Sequence, residues 1–355
     1  MSAEHTIRVG ILGASGYTGA DLVRLLATHP KAEIALLTAE RKAGRKAAEV
    51  FPHFAVGDLP DLVSVDDVDW DAADLDVVFC ALPHGTTQVI VSKLYSDLKE
   101  STQIIDLSAD FRLYDVSVYA EWYGKPHQAE TLQPKAAYGL TEHNRKAVAG
   151  ARLVACPGCY PTAALLALLP LLGAGAIEAD DIIIDAKSGV SGAGRGLKEA
   201  NLFTEVSEAL HPYGLGSHRH MPEIEQELGK AAGRDVRISF TPHLVPMNRG
   251  ELETIYVKTA SGGTAQDLKA VLVDRYADEP FIHVLTDGTA PATRQVRGSN
   301  HCTLNVFEDR IPGRAIVVAA IDNLVKGSSG QAIQNMNLMR GLPETLGLEQ
   351  MPLFP

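Results

Sequence analysis

The sequence predicts an α/β plus α+β protein, a doubly wound domain of parallel strands followed by a second domain on a mostly antiparallel sheet. Three observations carry this. A glycine-rich turn, Gly13-Ala-Ser-Gly-Tyr-Thr-Gly19, stands between a first buried strand and a first helical pattern, as in βαβ units that bring a helix N-terminus to a phosphate. Up to Leu107 apolar strands alternate with helical stretches, whereas from Arg237 long strands follow one another with one helix among them. Between the two regimes lies Leu153-Val-Ala-Cys-Pro-Gly-Cys-Tyr-Pro-Thr162, a strand, a tight turn and a helix start.

A chain of 355 residues is long enough for two domains with their own cores. Its 46% hydrophobic and 21% charged residues describe a soluble globular protein. A net charge of −12 argues against non-specific nucleic-acid binding, which needs clustered Lys and Arg. Four cysteines, Cys80, Cys156, Cys159 and Cys302, make no disulfide framework. Cys156 and Cys159 are formally C-x-x-C, but His218 and His220 are the sole plausible second ligand pair, so no metal is expected. Met1 to His5 is polar and no apolar stretch is long enough to span a bilayer. The expected location is the cytoplasm, with reduced thiols.

In order along the chain, Ile7 to Gly13 is nearly all apolar, as a strand buried on both faces should be. The glycine spacing that follows is G-x-x-G-x-x-G; a tight turn, close backbone approach and a helix N-terminus serve pyrophosphate at this spacing too. Gly13, Ser15, Gly16, Tyr17, Thr18 and Gly19 are therefore expected to bind a dinucleotide. Ala20 to Thr28 is helical, and Glu33 to Ala39 is the second strand. Beyond it, from Thr38, Arg41, Lys42, Arg45 and Lys46 crowd one turn with Glu40. A basic turn at this point accommodates the extra phosphate of NADP, where a carboxylate alone would suit NAD. Asp76 to Leu82 and Gln103 to Leu107 are further buried strands, the latter delivering Ser108 and Arg112, expected to take a substrate carboxylate or phosphate. Leu113 to Lys146, rich in Tyr, Trp, His and Pro, is expected to be an irregular excursion.

At the cysteine turn, Pro157 and Gly158 force the bend and Pro161 suits a first helical turn, so Cys159 is expected at or just before a helix N-terminus. There unpaired N–H groups favour the thiolate and make the residue a candidate nucleophile. Cys156, still in strand context, is expected to pack. Asp181 to Ala186 is a strand opening into the glycine-rich Lys187 to Gly196, where Ser188 and Gly189 offer N–H groups to phosphate or nicotinamide. His218 and His220 precede a helix expected from Pro222. In extended chain they face opposite ways, so only one addresses Cys159. His220, nearer the helix start, is preferred as base and His218 as a substrate contact. Arg237 to Val245, Glu251 to Thr259, Cys302 to Glu308 and Arg314 to Asp322 are strands, interrupted by a helix from Thr264 to Tyr276. The chain closes with Asp322-Asn-Leu-Val-Lys-Gly-Ser-Ser-Gly-Gln-Ala332 and a helix through Arg340, an N–H-rich entry that returns Asn323 toward cofactor or substrate.

Together Gly13 to Gly19, Asp106-Leu-Ser-Ala-Asp-Phe-Arg112, Pro157-Gly-Cys-Tyr-Pro-Thr162, His218-Arg-His-Met-Pro-Glu223 and Asp322 to Gln331 resemble the N-acetyl-γ-glutamyl-phosphate reductases of arginine biosynthesis, nearly end to end. The resemblance implies a Rossmann-type NADP-binding domain over 1–155, completed by a C-terminal helix over 326–355. It also implies a catalytic and oligomerisation domain of the aspartate-semialdehyde dehydrogenase type over 156–325, with Cys159 as nucleophile, a histidine of the His218/His220 pair as its partner, and a homodimer or homotetramer acting on a small acyl phosphate. Cys156 stands where Asn is common in that family. Aspartate-semialdehyde dehydrogenase-like chemistry, reduction of a carrier-bound aminoadipyl phosphate and a cysteine hydrolase or acyltransferase remain as alternatives. The acidic net charge weighs against a docked acidic carrier, and a hydrolase leaves the glycine turn unexplained.

Overall fold

The computed structural model describes residues 6–354. The chain forms two compact units, one made of the residues up to Pro157 with Ser328–Glu349, the other of Gly158–Gly327 with the segment from Gln350.

In the first unit, seven strands, β1 (Ile7–Leu12), β2 (Ala32–Thr38), β3 (Leu62–Val63), β4 (Val77–Cys80), β5 (Gln103–Asp106), β6 (Ala136–Tyr138) and β7 (Leu153–Ala155), form one sheet in the order β3-β2-β1-β4-β5-β7-β6. Every pairing is parallel. β4 and β7 are wholly buried, which is why both read as unbroken apolar runs. Strand order reverses direction between β1 and β4, the point at which a doubly wound sheet opens a crevice at its carboxyl edge. The glycine turn leaves β1 at that edge and enters the helix Tyr17–Leu26.

The segment expected to be irregular is folded. It holds the helix Val116–Tyr123, strand β6 and the helix Thr141–Ala149. Asp115 caps the first of these by accepting the Ser117 N–H at 2.8 Å. Tyr119 and Tyr123, one turn apart, stack with ring centres 4.5 Å apart. Aromatic and polar pairing replaced the aliphatic stripe that a periodicity argument looks for. The C-terminal helix, Gly330–Met339, is buried although rich in amides. Gln334 donates to Glu142 and Glu344, Asn335 to the Gly139 carbonyl and Asn337 to the Leu346 carbonyl. It ends at Met339, short of the C terminus, with Gly341 at φ +68° just beyond it.

The second unit carries β8 (Ile182–Gly189), β9 (His211–Pro212), β10 (Ile238–Val245), β11 (Glu251–Lys258), β12 (Ile282–Val284), β13 (Cys302–Glu308) and β14 (Arg314–Ile321), ordered β12-β13-β14-β11-β8-β10-β9. The sheet is mostly antiparallel as expected, with parallel pairs at β12/β13 and β8/β10. β8 runs to Gly189, three residues into the stretch expected to be loop, because β10 and β11 hold it from both sides through Ser188. The helix Cys159–Gly173 lies on β11 and β14, flanked by helices Met221–Ala232 and Ala265–Arg275. Along β11 the buried face presents Glu251, Glu253, Ile255 and Val257.

Candidate active site

Cys159 is the first residue of its helix, with Gly158 as the N-cap. Tyr160 to Leu168 are buried, whereas Cys159 is partly exposed. Glu223, in the first turn of Met221–Ala232, accepts the Gly158 N–H at 2.9 Å and fixes the turn that presents the sulfur. Thr162 closes it from the other side by donating to the Gly158 carbonyl at 2.9 Å. A side chain at Gly327 would put a carbon 2.7 Å from Cys159 Cβ, so glycine there keeps the cysteine in place. Cys156 is fully buried, receives an N–H from Asn335 at 3.6 Å and has its thiol pushed up to about 12, chiefly by burial. The two cysteines thus differ as expected: one is packed, the other presented.

The expectation that His218 and His220 face opposite ways is overturned. Residues 214–220 form turns rather than extended chain, so alternation does not apply. Their rings lie 4.8 Å apart, and each meets the edge or face of Tyr160 at 5.7 Å. The His220 N–H donates to His218 Nδ1 at 3.2 Å. Burial first, then the neighbouring Arg219 cation, pushes His218 down to about 4. His218 is therefore neutral at pH 7 with its proton on Nε2, since Nδ1 must accept. His220 caps Met221–Ala232, one residue before the start that Pro222 suggested. Phe240 and Tyr213 complete the cage around His218 at 5.3 and 5.4 Å, and the Tyr213 and Tyr160 hydroxyls are 3.0 Å apart.

Glu251 is fully buried at the start of β11, and burial pushes its carboxyl up to about 8. Tyr160 and Glu223 fall within the cysteine and histidine motifs without a role of their own, and no motif covers Glu251 or Tyr213. Glu251 had a signal nonetheless: stepping back by two from Val257 and Ile255 puts it on the buried face.

In the first unit, the glycine turn has three different reasons for its glycines. Gly13 adopts φ +82°, and a side chain on it would come 2.3 Å from the Ala81 carbonyl. One at Gly19 would come 2.4 Å from the Gly13 carbonyl, so the helix and turn close only without it. Gly16 meets nothing nearer than 3.5 Å. The space beside it, at the start of the helix that Tyr17 and Thr18 begin, is open. Thr38 holds the turn to β2, its Oγ1 accepting the Gly13 N–H at 3.3 Å and its carbonyl the Ala14 N–H at 2.8 Å. Ser15 is half-buried in the turn, and Thr18 is tied by its carbonyl to the Ser329 hydroxyl at 3.0 Å. Past β2, Glu40 is occupied by the Ser64 hydroxyl and the Val65 N–H, and Arg45 by Glu49. Among the described residues, Arg41 and Lys42, in the turn Glu40–Lys42, form no ion pair.

Ser108 and Arg112 have main-chain and carboxylate duties. Ser108 is buried, donating both N–H and hydroxyl to Asp106 at 2.8 and 2.9 Å. Arg112 is buried, with Nε on the Cys156 carbonyl at 2.7 Å and one terminal nitrogen on the Leu107 carbonyl at 3.0 Å. This geometry stitches β5 to the end of β7 in place of the exposed fork that a strand-end arginine suggested. In the second unit Asn323 accepts the Gly250 N–H at 2.8 Å and donates to Ser191 at 3.0 Å, drawing together the end of β14 and the loop after Ser188 and Gly189.

Residues 8–151 match the NAD binding domain of semialdehyde dehydrogenases, and 159–323 their dimerisation domain. The chain is 61% identical over 343 residues to an N-acetyl-gamma-glutamyl-phosphate reductase of Afipia carboxidovorans, covering 97% of each. It is 58% identical over its whole length to a probable chloroplastic N-acetyl-gamma-glutamyl-phosphate reductase of Oryza sativa, 84% of which is covered. Among solved structures, aspartate semialdehyde dehydrogenase II from Vibrio cholerae, complexed with ASA, aligns with a TM-score of 0.71 at 18% identity over 95% of this chain and 99% of that one. The Candida albicans aspartate semialdehyde dehydrogenase with NADP aligns at 0.64 and 18% identity, over 94% and 98%. At such identity these last two show a shared fold.

Proposed function

The chain belongs to the N-acetyl-γ-glutamyl-phosphate reductases of the semialdehyde dehydrogenase family, and from that premise we propose how its own residues turn N-acetyl-γ-glutamyl phosphate into N-acetylglutamate 5-semialdehyde. The observation that carries the reading is Cys159 at the partly exposed start of a largely buried helix, where N–H groups stabilise a thiolate. Its sulfur attacks the acyl carbon, phosphate leaves, and a thioester remains. Reduction of that thioester leaves a tetrahedral adduct, and breaking its S–C bond frees the aldehyde and restores the sulfur. A proton is consumed overall; we assign its delivery to His220, with His218 donating from Nε2 to the substrate.

A nicotinamide dinucleotide, when bound, supplies the hydride. The open face at Gly16 fits such a ligand, and Gly13, Ser15, Gly16, Tyr17, Thr18, Gly19 and Thr38 are assigned to hold it. NADP is the form we infer: Glu40 is occupied, while Arg41 and Lys42 are not. Ser188, Gly189 and Asn323 are assigned to its nicotinamide end, and Ser108 and Arg112 to shaping the substrate side through the main chain. Four reduced cysteines support a cytoplasmic site of action. A homodimer or homotetramer is supported by the dimerisation-domain match and by exposed Leu197, Phe203 and Leu215 in the second unit.

The test is aldehyde formation from the acyl phosphate with NADPH. Cys159→Ser is expected to lose turnover by several orders of magnitude, and trapped acyl group to map to Cys159, while Cys156→Ser stays active. Replacing Arg41 and Lys42 together is expected to raise the Michaelis constant for NADPH and leave that for NADH nearly unchanged, since each phosphate contact is worth about 1.5–3 kcal/mol. Acyl-enzyme on Cys156, or equal losses with both cofactors, would count against the respective assignment.

A further inference from the structure

Two phenols stand in the cage around His218, and one of them carries a proton that the fold does not use. Tyr160, next to Cys159 in the helix, is fully buried, whereas Tyr213, just past β9, is partly exposed. Their hydroxyls lie 3.0 Å apart, and among the described residues this is the one hydrogen bond that either hydroxyl makes. Burial gives the bond its direction. Were Tyr213 the donor, the Tyr160 O–H would be shut in without an acceptor, its ring packed on Phe240, His218 and His220 at 5.3, 5.7 and 5.7 Å. A buried donor left unmade is costly, so Tyr160 donates to the Tyr213 oxygen. Tyr213 keeps its own proton for another acceptor.

We propose that Tyr213 is a further substrate-binding residue, its O–H donating beside His218 Nε2–H to a carboxylate or phosphate oxygen of the substrate. The proposal rests on the reaction assigned above and on the place given there to His218. The two rings are neighbours, with centres 5.4 Å apart. His218 offers Nε2–H because its Nδ1 accepts the His220 N–H. Two converging donors select a group that only accepts, as carboxylate and phosphate oxygens do. The backbone on both sides of Tyr213 is held, so the phenol is placed before substrate arrives. Its N–H donates to the Pro242 carbonyl of β10 at 3.0 Å. Gly214 follows at φ +57°, where a side chain would come 3.2 Å from His218 Cδ2. An oxygen that already accepts from Tyr160 makes Tyr213 the stronger donor, since bonds in a chain polarise one another. Tyr160 therefore acts through Tyr213, as a positioning residue. Burial pushes both phenols far above their usual range, so both remain protonated as donors.

Steady-state kinetics of Tyr213→Phe and Tyr160→Phe tests this through the direction of the bond. Tyr213→Phe is expected to raise the Michaelis constant for the acyl phosphate about tenfold, with turnover within about threefold and the constant for NADPH unchanged. Tyr160→Phe leaves the Tyr213 donor in place and is expected to raise it no more than about threefold. Equal rises would overturn the proposal, because either substitution breaks the same bond if that bond merely holds the site together. No rise in Tyr213→Phe would overturn it too. Should Tyr213→Phe fold poorly with the Tyr160 hydroxyl unpaired, the double variant, which has neither hydroxyl, is expected to show the tenfold rise; a wild-type constant there would count against the proposal equally. Run backwards from aldehyde, phosphate and NADP, the reaction separates the two candidate oxygens. In Tyr213→Phe a raised constant for phosphate marks the phosphate, a raised constant for aldehyde marks the carboxylate, and neither would refute the contact. A wild-type protein that forms no aldehyde would bring down the assigned reaction and this proposal with it, whereas an active wild type beside an unaffected Tyr213→Phe brings down the proposal alone.

Discussion

Two histidines two residues apart differ in hydrogen bonding through a single backbone bond. Because the His220 N–H donates to His218 Nδ1, His218 is fixed as an Nε2–H donor, and its buried, cation-flanked ring stays neutral across the working pH range. A ring that already carries its proton on Nε2 cannot take one there. His220→Asn is therefore expected to lower turnover by ~10²–10⁴-fold with cofactor binding intact. His218→Asn is expected to act mainly on the substrate Michaelis constant. Steady-state kinetics on the two variants reads the difference, and the reverse pattern would exchange the roles. The sequence held both residues and the preference between them. It did not hold the reason, because the argument from alternation assumed extended chain where Gly214 and Gly216 make turns. Glu251 shows the opposite failure: its position on a buried face was readable by counting in twos from Val257, but no motif directed attention to it.

At the scale of an element, the turn from β1 into Tyr17–Leu26 was the most legible part of the chain. Gly13 and Gly19 answer steric demands and Gly16 does not, a contrast that lets folding be tested apart from binding. Gly19→Ala forces a carbon against backbone atoms at 2.4 and 2.7 Å, which cannot swing aside. It is expected to destabilise the first unit by about 1–3 kcal/mol. Gly16→Ala meets only an ordinary contact at 3.5 Å. It is expected to leave stability within about 1 kcal/mol and to weaken dinucleotide binding, if the space it fills is the one assigned to the ligand. Urea unfolding and cofactor titration of both variants check this; a Gly16→Ala protein that binds NADPH as the wild type does would mean that the turn is not the cradle. Val116–Tyr123 was harder to read: it depends on an Asp115 cap and stacked tyrosines and does not display the apolar stripe by which helices are found in a sequence. Gly330–Met339, held by amides bonded across the unit, was nonetheless expected as a helix through Arg340.

For the whole molecule, buried acids set how stability responds to pH. Burial, with Asp110 beside it, pushes Asp106 up to about 7, against the bonds from Ser108 that favour its charged form. Glu251 in the other unit is pushed up to about 8. Each group holds its proton more tightly folded than unfolded, where carboxyls titrate near 4. Between about pH 4 and these values the native state binds more protons, so unfolding free energy falls as pH rises. The contribution is complete below about pH 4 and lost as pH climbs through 7 to 8. The net charge of −12 at neutrality adds self-repulsion in the same direction. The two units can be followed separately, because both tryptophans, Trp70 and Trp122, lie in the first. Tryptophan fluorescence during urea unfolding at pH 5, 6 and 7 is expected to show the first unit losing stability, by up to about 1.4 kcal/mol per pH unit for this one proton. In Asp106→Asn the same series is expected to flatten by that amount. An Asp106→Asn slope equal to that of the wild type would show that Asp106 is charged in the folded protein throughout.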